Sequence, residues 1–272
     1  MDRRLTPATH RAAHVSLRGK VAADRFVDGE ALQVALPLAD LLASPNGARD
    51  RQLWLGDGFT VIDRDQGHAF GFATKDGHCG WLAEDALTEL QPLTHWVASR
   101  ATHLYSAPKV QAPDPVPLPM GARLSVTGRT GKWAETPIGL VPASHLLPLG
   151  HWLTDPVAVA ETLLHTPYLW GGNSRAGLDC SGLVQGTHLA CGITLPGDAD
   201  LIENVGRALR DDEDLQRGDL IFWKGHVAMI VDEARLIHAN GYTMSVAYEG
   251  IAEAIARIFA ADGLPITSRR RL

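Results

Sequence analysis

The sequence predicts an α+β protein in which two small SH3-like β-barrels precede a domain of mixed helix and sheet. Three observations predict this class. The first half of the 272-residue chain consists of short apolar runs broken by Gly, Pro and Asp, which is typical of small β domains. These runs repeat with a period of roughly 60 residues, which suits the duplication of a small barrel. After Pro148 the pattern changes to two helix signals followed by closely spaced strand signals.

The repeat in the first half divides it into two β domains, which we place at residues 1–93 and 94–149. Three pairs of segments keep their order along the chain: Ala39–Pro45 with Thr102–Pro108, Leu55–Val61 with Met120–Val126, and Gly80–Leu87 with Gly139–Leu146. Alternating apolar residues in these segments turn one strand face inward. Each domain is expected to close with a strand from Gly80 or Gly139 and a short 3₁₀-like turn. A proline run, Pro113 to Pro119 at every second position, is interpreted as a stiff spacer loop.

The remaining residues, 150–272, form the third predicted domain. Asp155 and Pro156 are suited to the N-cap and first position of a helix that continues to His165. A second helix is expected from Cys180 to about Cys191, where Gly192 ends it. Two strands, at 219–223 and 226–232, are joined by the turn Lys224-Gly225, and a third strand follows at 235–239.

Composition and charge narrow the function classes. Hydrophobic residues make up 45% of the chain and charged residues 21%, as in globular proteins that bury a core. A net charge of −6 argues against a general nucleic-acid binder, and the run Arg269-Arg270-Arg271 is interpreted as a solvated tail. Residues 1–25 lack the apolar core of a secretory signal, and no run is long enough to span a bilayer. We therefore expect a cytoplasmic protein without a membrane partner, and the oligomeric state stays open.

The three cysteines indicate free thiols. Cys79, Cys180 and Cys191 cannot all pair, and the chain has neither a CxxC nor an HExxH motif, so no metal or organic cofactor is expected. Cys79 and Cys191 are interpreted as small buried hydrophobic residues. Cys180 differs because it stands where a helix is predicted to begin.

A cysteine at a helix N-terminus is suited to nucleophilic attack. Only the thiolate attacks an amide, and the helix dipole together with a nearby imidazolium would lower the thiol pKa. The backbone N–H of Cys180 would also point toward a developing oxyanion. His226, which begins a strand behind a tight turn, is the candidate base. His238 lies twelve residues later and would face His226 if the two strands pair, so it is the candidate third residue.

Five ordered motifs resemble those of the NlpC/P60 family of papain-like cysteine peptidases: Pro167–Gly172 (PYLWGG), Asp179–Leu183 (DCSGL), Arg217–Phe222 (RGDLIF), Gly225–Met229 (GHVAM) and Leu236–Ala239 (LIHA). Members of this family cleave bacterial cell-wall peptides. The resemblance implies that Cys180, His226 and His238 are catalytic and that Tyr168 assists the oxyanion or the substrate. Gly171 and Gly172 are expected to permit a turn with positive φ, Trp170 is interpreted as structural, and Asp219 as a capping or pairing residue.

The order of domains is similar to that of γ-D-glutamyl-L-diamino acid endopeptidases with N-terminal bacterial SH3 (SH3b) domains. In that subgroup the first SH3b domain supplies an acid and an aromatic residue near the free amine of the substrate's L-Ala. The resemblance assigns substrate binding to Asp57, His78 and Trp81 of the first domain, and to Asp179 and Ser181 beside the nucleophile. His78 stands where the subgroup usually has Tyr, and Gly197 stands where many members have Arg.

The function expected from these features is hydrolysis of the bond between γ-D-Glu and a diamino acid in free murein peptides that begin with L-Ala. The choice between diaminopimelate and lysine stays open, as does the choice between free peptide and polymeric murein. One alternative is an N-acetylmuramoyl-L-Ala amidase or an acyltransferase with the same Cys-His arrangement. Another is a non-catalytic SH3b scaffold that binds wall peptide.

Overall fold

The computed structural model describes residues 1–210 and 212–272, which form two units, Met1–His151 and Trp152–Leu272. The first unit contains β-strands and short 3₁₀ turns, and the second combines helices with a sheet. The predicted α+β class is confirmed. The sequence placed domain limits after residues 93 and 149, and the structure separates its two units after His151.

The first part of unit one is dominated by a seven-stranded sheet with the order β5-β4-β8-β7-β6-β3-β9, preceded by a parallel pair, β1 and β2. Leu41, Leu53, Phe59 and Leu82 lie in its apolar core. The strands are β1 (Ala12–His14), β2 (Arg25–Val27), β3 (Glu30–Val34), β4 (Leu38–Leu42), β5 (Arg49–Trp54), β6 (Gly58–Asp65), β7 (His68–Ala73), β8 (Cys79–Ala83) and β9 (Leu87–Glu89).

The second part of unit one consists of three smaller sheets, β13-β10-β17, β11-β12 and β14-β15-β16. Their strands are β10 (His95–Val97), β11 (Ala101–Leu104), β12 (Val116–Pro119), β13 (Arg123–Leu124), β14 (Gly128–Thr130), β15 (Trp133–Thr136), β16 (Gly139–Pro142) and β17 (Leu146–Pro148). Val97, Leu118, Leu124 and Val141 form the core. Among the described residues the strands of neither part close into a continuous barrel, so the expected barrels are open sheets.

The duplicated ending is confirmed in both parts. β8 runs into the 3₁₀ turn Glu84–Ala86, and β16 runs into the equivalent turn Ala143–His145. The interpretation of the whole proline run as a loop is wrong. Pro117 and Pro119 lie in β12 and pair with β11, which is an edge pair that tolerates residues without an N–H.

The described residues of unit two form four helices: α1 (Pro156–Glu161), α2 (Cys180–Ala190), α3 (Ala199–Ile202) and α4 (Ile251–Asp262). Asp155 caps α1 through its side chain, which accepts from the N–H of Val157 at 2.9 Å, and Pro156 is the first helical residue as predicted. The helix is shorter than expected and ends at Glu161. α2 begins and ends within one residue of its predicted limits.

The strands of unit two are β18 (Asn173–Ser174), β19 (Gly177–Leu178), β20 (Arg207–Ala208), β21 (Leu220–Trp223), β22 (His226–Ile230), β23 (Arg235–Asn240), β24 (Ser245–Gly250) and β25 (Ile266–Arg271). Six of them form the sheet β20-β25-β21-β22-β23-β24. Helix α4 covers one face through Ala254 and Ile258, which pack on Trp223 and Ile230. No helix in the described part of the chain is long and apolar enough to cross a membrane.

Two expectations are wrong: that the arginines at 269–271 form a solvated tail, and that Cys191 is buried. The C-terminal arginines form β25, and Arg271 makes a bidentate ion pair with the buried carboxylate of Asp219 at 2.7 Å. The expected structural role of Asp219 is thereby confirmed. Cys191 caps the C-terminus of α2 and is partly exposed, whereas Cys79 is buried as expected.

Candidate active site

The thiol of Cys180 stands at the first turn of α2. Asp179 is the N-cap, and its Oδ1 accepts hydrogen bonds from the N–H of Gly182 at 2.6 Å and from the hydroxyl of Ser181 at 3.0 Å. Asn or Asp in this position satisfies helical N–H groups that have no partner within the helix. The cap therefore fixes where α2 begins and places Cys180 at its positive end.

The PYLWGG segment holds this helix end in place. Oδ2 of Asp179 accepts from the N–H of Gly171 at 2.8 Å, and Gly171 has the positive φ of 69° that glycine tolerates. A Cβ at Gly182 would lie 2.4 Å from the carbonyl oxygen of Gly172, so the helix and the loop approach more closely than side chains would allow. The expected positive φ is thus confirmed for Gly171, while Gly172 takes part in close packing.

His226 follows the two-residue turn Lys224-Gly225 and pairs with Trp223 at the start of β22. The register of β22 against β23 covers Met229 and Ile230, so in the described chain the first residues of β22 are not paired with β23. The Cys180 Sγ lies 4.0 Å from the carbonyl oxygen of Gly225, and the N–H of Val227 favours its thiolate. The thiol therefore faces main-chain groups of the residues before and after His226, the carbonyl of Gly225 and the N–H of Val227.

A chain of polar side chains extends from His226 into the sheet. Its Nε2 lies 2.9 Å from Nδ1 of His238, which confirms the expected hairpin contact. Nε2 of the fully buried His238 lies 3.1 Å from Oε2 of Glu249, at an angle that falls short of a hydrogen bond. Glu249 in turn accepts two hydrogen bonds from Arg257, at 2.7 and 2.8 Å.

These polar side chains determine which ring nitrogens of His226 and His238 carry protons. Arg257 holds the pKa of Glu249 below its usual range, so Glu249 is an anion that faces the Nε2–H of His238. Nδ1 of His238 is then an acceptor for the Nε2–H of His226. As a result, Nδ1 of His226 keeps a free lone pair, as a general base requires.

Burial sets the resting protonation of the pair. It raises the pKa of the Cys180 thiol to about 12 and, together with the charge of His238, lowers the pKa of His226 to about 3. The sequence led us to expect a lowered thiol pKa, and this expectation is wrong for the ligand-free site because desolvation outweighs the helix dipole. The resting site holds a neutral thiol beside a neutral imidazole.

Tyr168 is half-buried near the thiol. Burial, followed by the charges of Cys180 and Asp179, raises the pKa of its hydroxyl, so the phenol stays protonated and can donate a hydrogen bond. Trp170, interpreted as structural from the sequence, has 69% of its surface exposed.

The substrate-binding residues predicted in the first unit are buried. Oδ2 of Asp57 accepts from Lys75 at 2.6 Å and from the N–H of Trp54 at 2.9 Å, while Oδ1 has no hydrogen-bond partner among the described residues. His78 is buried, and Trp81 packs on Phe70 with ring centroids 5.1 Å apart. A carboxylate oxygen without a hydrogen-bond partner is chemically suited to an ammonium group, but this one is buried, and substrate binding by these residues, and by Asp179 and Ser181, stays a prediction.

Glu249 and Arg257 were not found by sequence reasoning. No motif or spacing links a residue of β24 to a residue of α4, and both positions suit a solvated surface. The described residues contain no cluster of His, Cys, Asp and Glu arranged to hold a metal ion.

Comparisons with known proteins agree with this arrangement. Residues 165–257 match the NlpC/P60 family, and residues 41–87 match the bacterial dipeptidyl-peptidase Sh3 domain. Dipeptidyl-peptidase 6 of Lysinibacillus sphaericus is 29% identical over 189 residues, which cover 61% of this chain and 69% of that protein. A γ-D-glutamyl-L-lysine dipeptidyl-peptidase of Bacillus cereus is 38% identical over 100 residues, which cover 34% of this chain but only 30% of that protein.

Among solved structures, an NlpC/P60 family protein from Bacillus cereus superimposes with a TM-score of 0.75 at 21% sequence identity. The match covers 89% of this chain and 99% of that one. At this level of identity the similarity establishes the fold.

Proposed function

We propose that this chain, which carries an NlpC/P60 cysteine peptidase domain and a bacterial SH3 domain, hydrolyses the bond between γ-D-Glu and a diamino acid in cell-wall peptides. The observation that carries the proposal is the position of the Cys180 thiol, 4.0 Å from the carbonyl oxygen of Gly225 and so next to His226, whose ring Nε2 lies 2.9 Å from Nδ1 of His238. The name of one similar protein, a γ-D-glutamyl-L-lysine dipeptidyl-peptidase, supports the choice of bond, and the name of another, dipeptidyl-peptidase 6, supports peptidase activity.

The first chemical step is attack on the γ-carbonyl carbon. Nδ1 of His226 takes the thiol proton as Sγ of Cys180 forms the new C–S bond. The carbonyl π-bond electrons move to oxygen, and the backbone N–H of Cys180 and the hydroxyl of Tyr168 stabilise the resulting oxyanion. Because burial raises the pKa of the resting thiol, His226 must take its proton for the attack to occur.

The second step breaks the C–N bond. The oxyanion collapses, His226 gives its proton to the departing amine, and a thioester between Cys180 and γ-D-Glu remains. Water then gives a proton to His226 as its oxygen attacks the thioester carbon. The C–S bond breaks, His226 returns the proton to Sγ of Cys180, and the glutamyl carboxylic acid is released.

The side chains behind His226 stabilise its charged form in both steps. When His226 gains a proton, His238 accepts from its Nε2–H, and the anionic Glu249 lies on the far side of His238. Arg257 keeps Glu249 ionised and in place. His238 thus takes the role of the third residue in Cys-His triads, and Glu249 adds a carboxylate behind it.

We also propose that the substrate is a free murein peptide with an N-terminal L-Ala, processed in the cytoplasm. Oδ1 of Asp57, a buried oxygen without a hydrogen-bond partner among the described residues, supports recognition of an ammonium group. The three cysteines are free in the described chain, which is typical of a reducing compartment.

The experiment that tests the function is product analysis. The protein is incubated with L-Ala-γ-D-Glu-meso-diaminopimelate, with the same peptide attached to N-acetylmuramic acid, and with cross-linked murein, and the products are separated by liquid chromatography with mass detection. We expect L-Ala-D-Glu and free diaminopimelate from the first substrate. Release of N-acetylmuramic acid from the second substrate would instead identify an amidase.

A further inference from the structure

A cleft of about 370 Å³ borders His226 on the face of the sheet that α4 covers. We call it the His226 cleft. It is lined by the turn after β21, by the turn between β23 and β24, and by the last two turns of α4. Apart from His226 and Arg257, the residues that line it take no part in the catalytic steps described above.

Two hydrogen-bond donors in its lining lack acceptors. Trp223 is 1% exposed and Asn240 is 4% exposed, yet among the described residues neither the indole Nε1–H nor the amide Nδ2 has a partner. The amide orientation of Asn240 is fixed because its Oδ1 accepts from the N–H of Thr243 at 2.8 Å and from its hydroxyl at 3.2 Å. A buried donor without an acceptor costs about 1–3 kcal/mol, so the two donors together indicate a ligand with acceptor atoms.

The charges around the cleft select the kind of acceptor. Lys224 is an exposed ammonium on the turn beside His226, and Arg257 lies with its guanidinium 4.5 Å from the ring centroid of Tyr242. Donors and positive charge in the lining of a cleft suit a carboxylate. Asp262 belongs to the same lining and suits an amine.

The apolar part of the lining suits an aliphatic chain between these two groups. Ile258, Ala261 and Leu264 form it, and they follow one another along the end of α4 and the segment after it. A molecule with a carboxylate, a short aliphatic chain and an amine therefore matches the chemistry of the lining.

We propose that the His226 cleft binds the carboxylate of the amino acid on the leaving side of the scissile bond. This inference rests on the proposed function, because His226 both lines the cleft and protonates the departing amine. A carboxylate in the cleft accepts from Lys224, Trp223 and Asn240. Peptides that end at the diamino acid, or that carry a carboxylate on its side chain, are then preferred over uncharged analogues.

Three substrates test the proposal. The first is L-Ala-γ-D-Glu-L-Lys with a free C-terminal carboxylate, and the second is its C-terminal carboxamide. The third is L-Ala-γ-D-Glu-meso-diaminopimelate with its main-chain carboxyl converted to a carboxamide, so that only the side-chain carboxylate remains. kcat/KM is measured for the wild type, Lys224→Met and Trp223→Phe. Arg210→Met, at an exposed arginine paired with Asp212, is the control.

We expect the wild type to prefer a carboxylate substrate over the Lys carboxamide by about tenfold, the effect of one charge-assisted hydrogen bond. Lys224→Met and Trp223→Phe reduce this preference toward unity by lowering kcat/KM more on the carboxylate substrates than on the carboxamide, while Arg210→Met retains it. Preference for the first substrate alone identifies the main-chain carboxylate as the ligand, and preference for the third identifies the side-chain carboxylate.

The outcomes that overturn the proposal are distinct from failure of the function. Equal kcat/KM for all three substrates in the wild type overturns the carboxylate site and leaves the peptidase intact. An equal loss of kcat/KM on all three substrates in both variants also overturns the carboxylate site, because it shows a general disturbance of His226. Failure of the wild type to cleave any of the three overturns the proposed function and this inference with it.

Discussion

The buried histidine behind the base makes the stability of the second unit depend on pH. Burial lowers the pKa of His238 from 6.5 to about 4, although Glu249 opposes the shift. Between these two values the unfolded chain binds a proton that the folded chain excludes. The stability that His238 contributes is therefore fully present above pH 6.5 and is lost as the pH falls toward 4.

The size of the effect follows from the same two values. One proton taken up only by the unfolded state costs about 1.4 kcal/mol of stability for each pH unit. From pH 7 to pH 5 the loss attributable to His238 is about 2 kcal/mol, since the unfolded histidine is already partly protonated at pH 7. Because His238 is fully buried, solvent screening does not reduce this value.

His238→Asn removes the titrating group and keeps an acceptor, Oδ1, for the Nε2–H of His226. Opening free energies are measured at pH 7, 6 and 5 by hydrogen exchange of peptides from β22 and β23, corrected for intrinsic exchange rates. The control is His165→Asn, an exposed histidine in the same unit whose φ of 66° asparagine tolerates. We expect the wild type and the control to lose about 2 kcal/mol more than His238→Asn between pH 7 and 5. Equal losses in all three proteins would refute the burial argument.

Two further predictions concern activity. Glu249→Gln removes the anion behind His238, and the loss of one charge-assisted interaction of about 1.5–3 kcal/mol lowers kcat roughly 10- to 150-fold with little change in KM. Glu249→Asp should recover part of this loss, whereas equal activity of all three proteins at every pH would exclude a role for Glu249 in positioning His238. Tyr168→Phe removes one oxyanion donor and should lower kcat at least tenfold; an unchanged kcat together with a raised KM would assign Tyr168 to substrate binding instead.

The backbone geometry of the candidate site could be predicted because its determinants are local in the sequence. The N-cap Asp179 and the turn Lys224-Gly225 each specify the backbone around one candidate catalytic residue. The contact between His226 and His238 follows from hairpin geometry once both strands are assigned.

The residues that the sequence did not reveal are those that depend on distant pairing. Glu249 of β24 contacts His238 of the neighbouring strand β23, and Arg257 of α4 holds Glu249 in place. Neither contact has a local signal in the sequence. The arginines at the C-terminus have the composition of a solvated tail, and only the pairing of Arg271 with Asp219, 52 residues away, reveals a strand. The thiol pKa was predicted in the wrong direction because burial is a tertiary property.

The covalent intermediate tests the central claim most directly. The wild type is mixed with L-Ala-γ-D-Glu-L-Lys, quenched in acid within milliseconds, and examined by intact-protein and peptide mass spectrometry. The account predicts a mass increase equal to L-Ala-γ-D-Glu less one water, located on Cys180 and absent from Cys180→Ala, which should have lost hydrolysis while keeping its fold. Full hydrolysis by Cys180→Ala, or an adduct located on another residue, would contradict it.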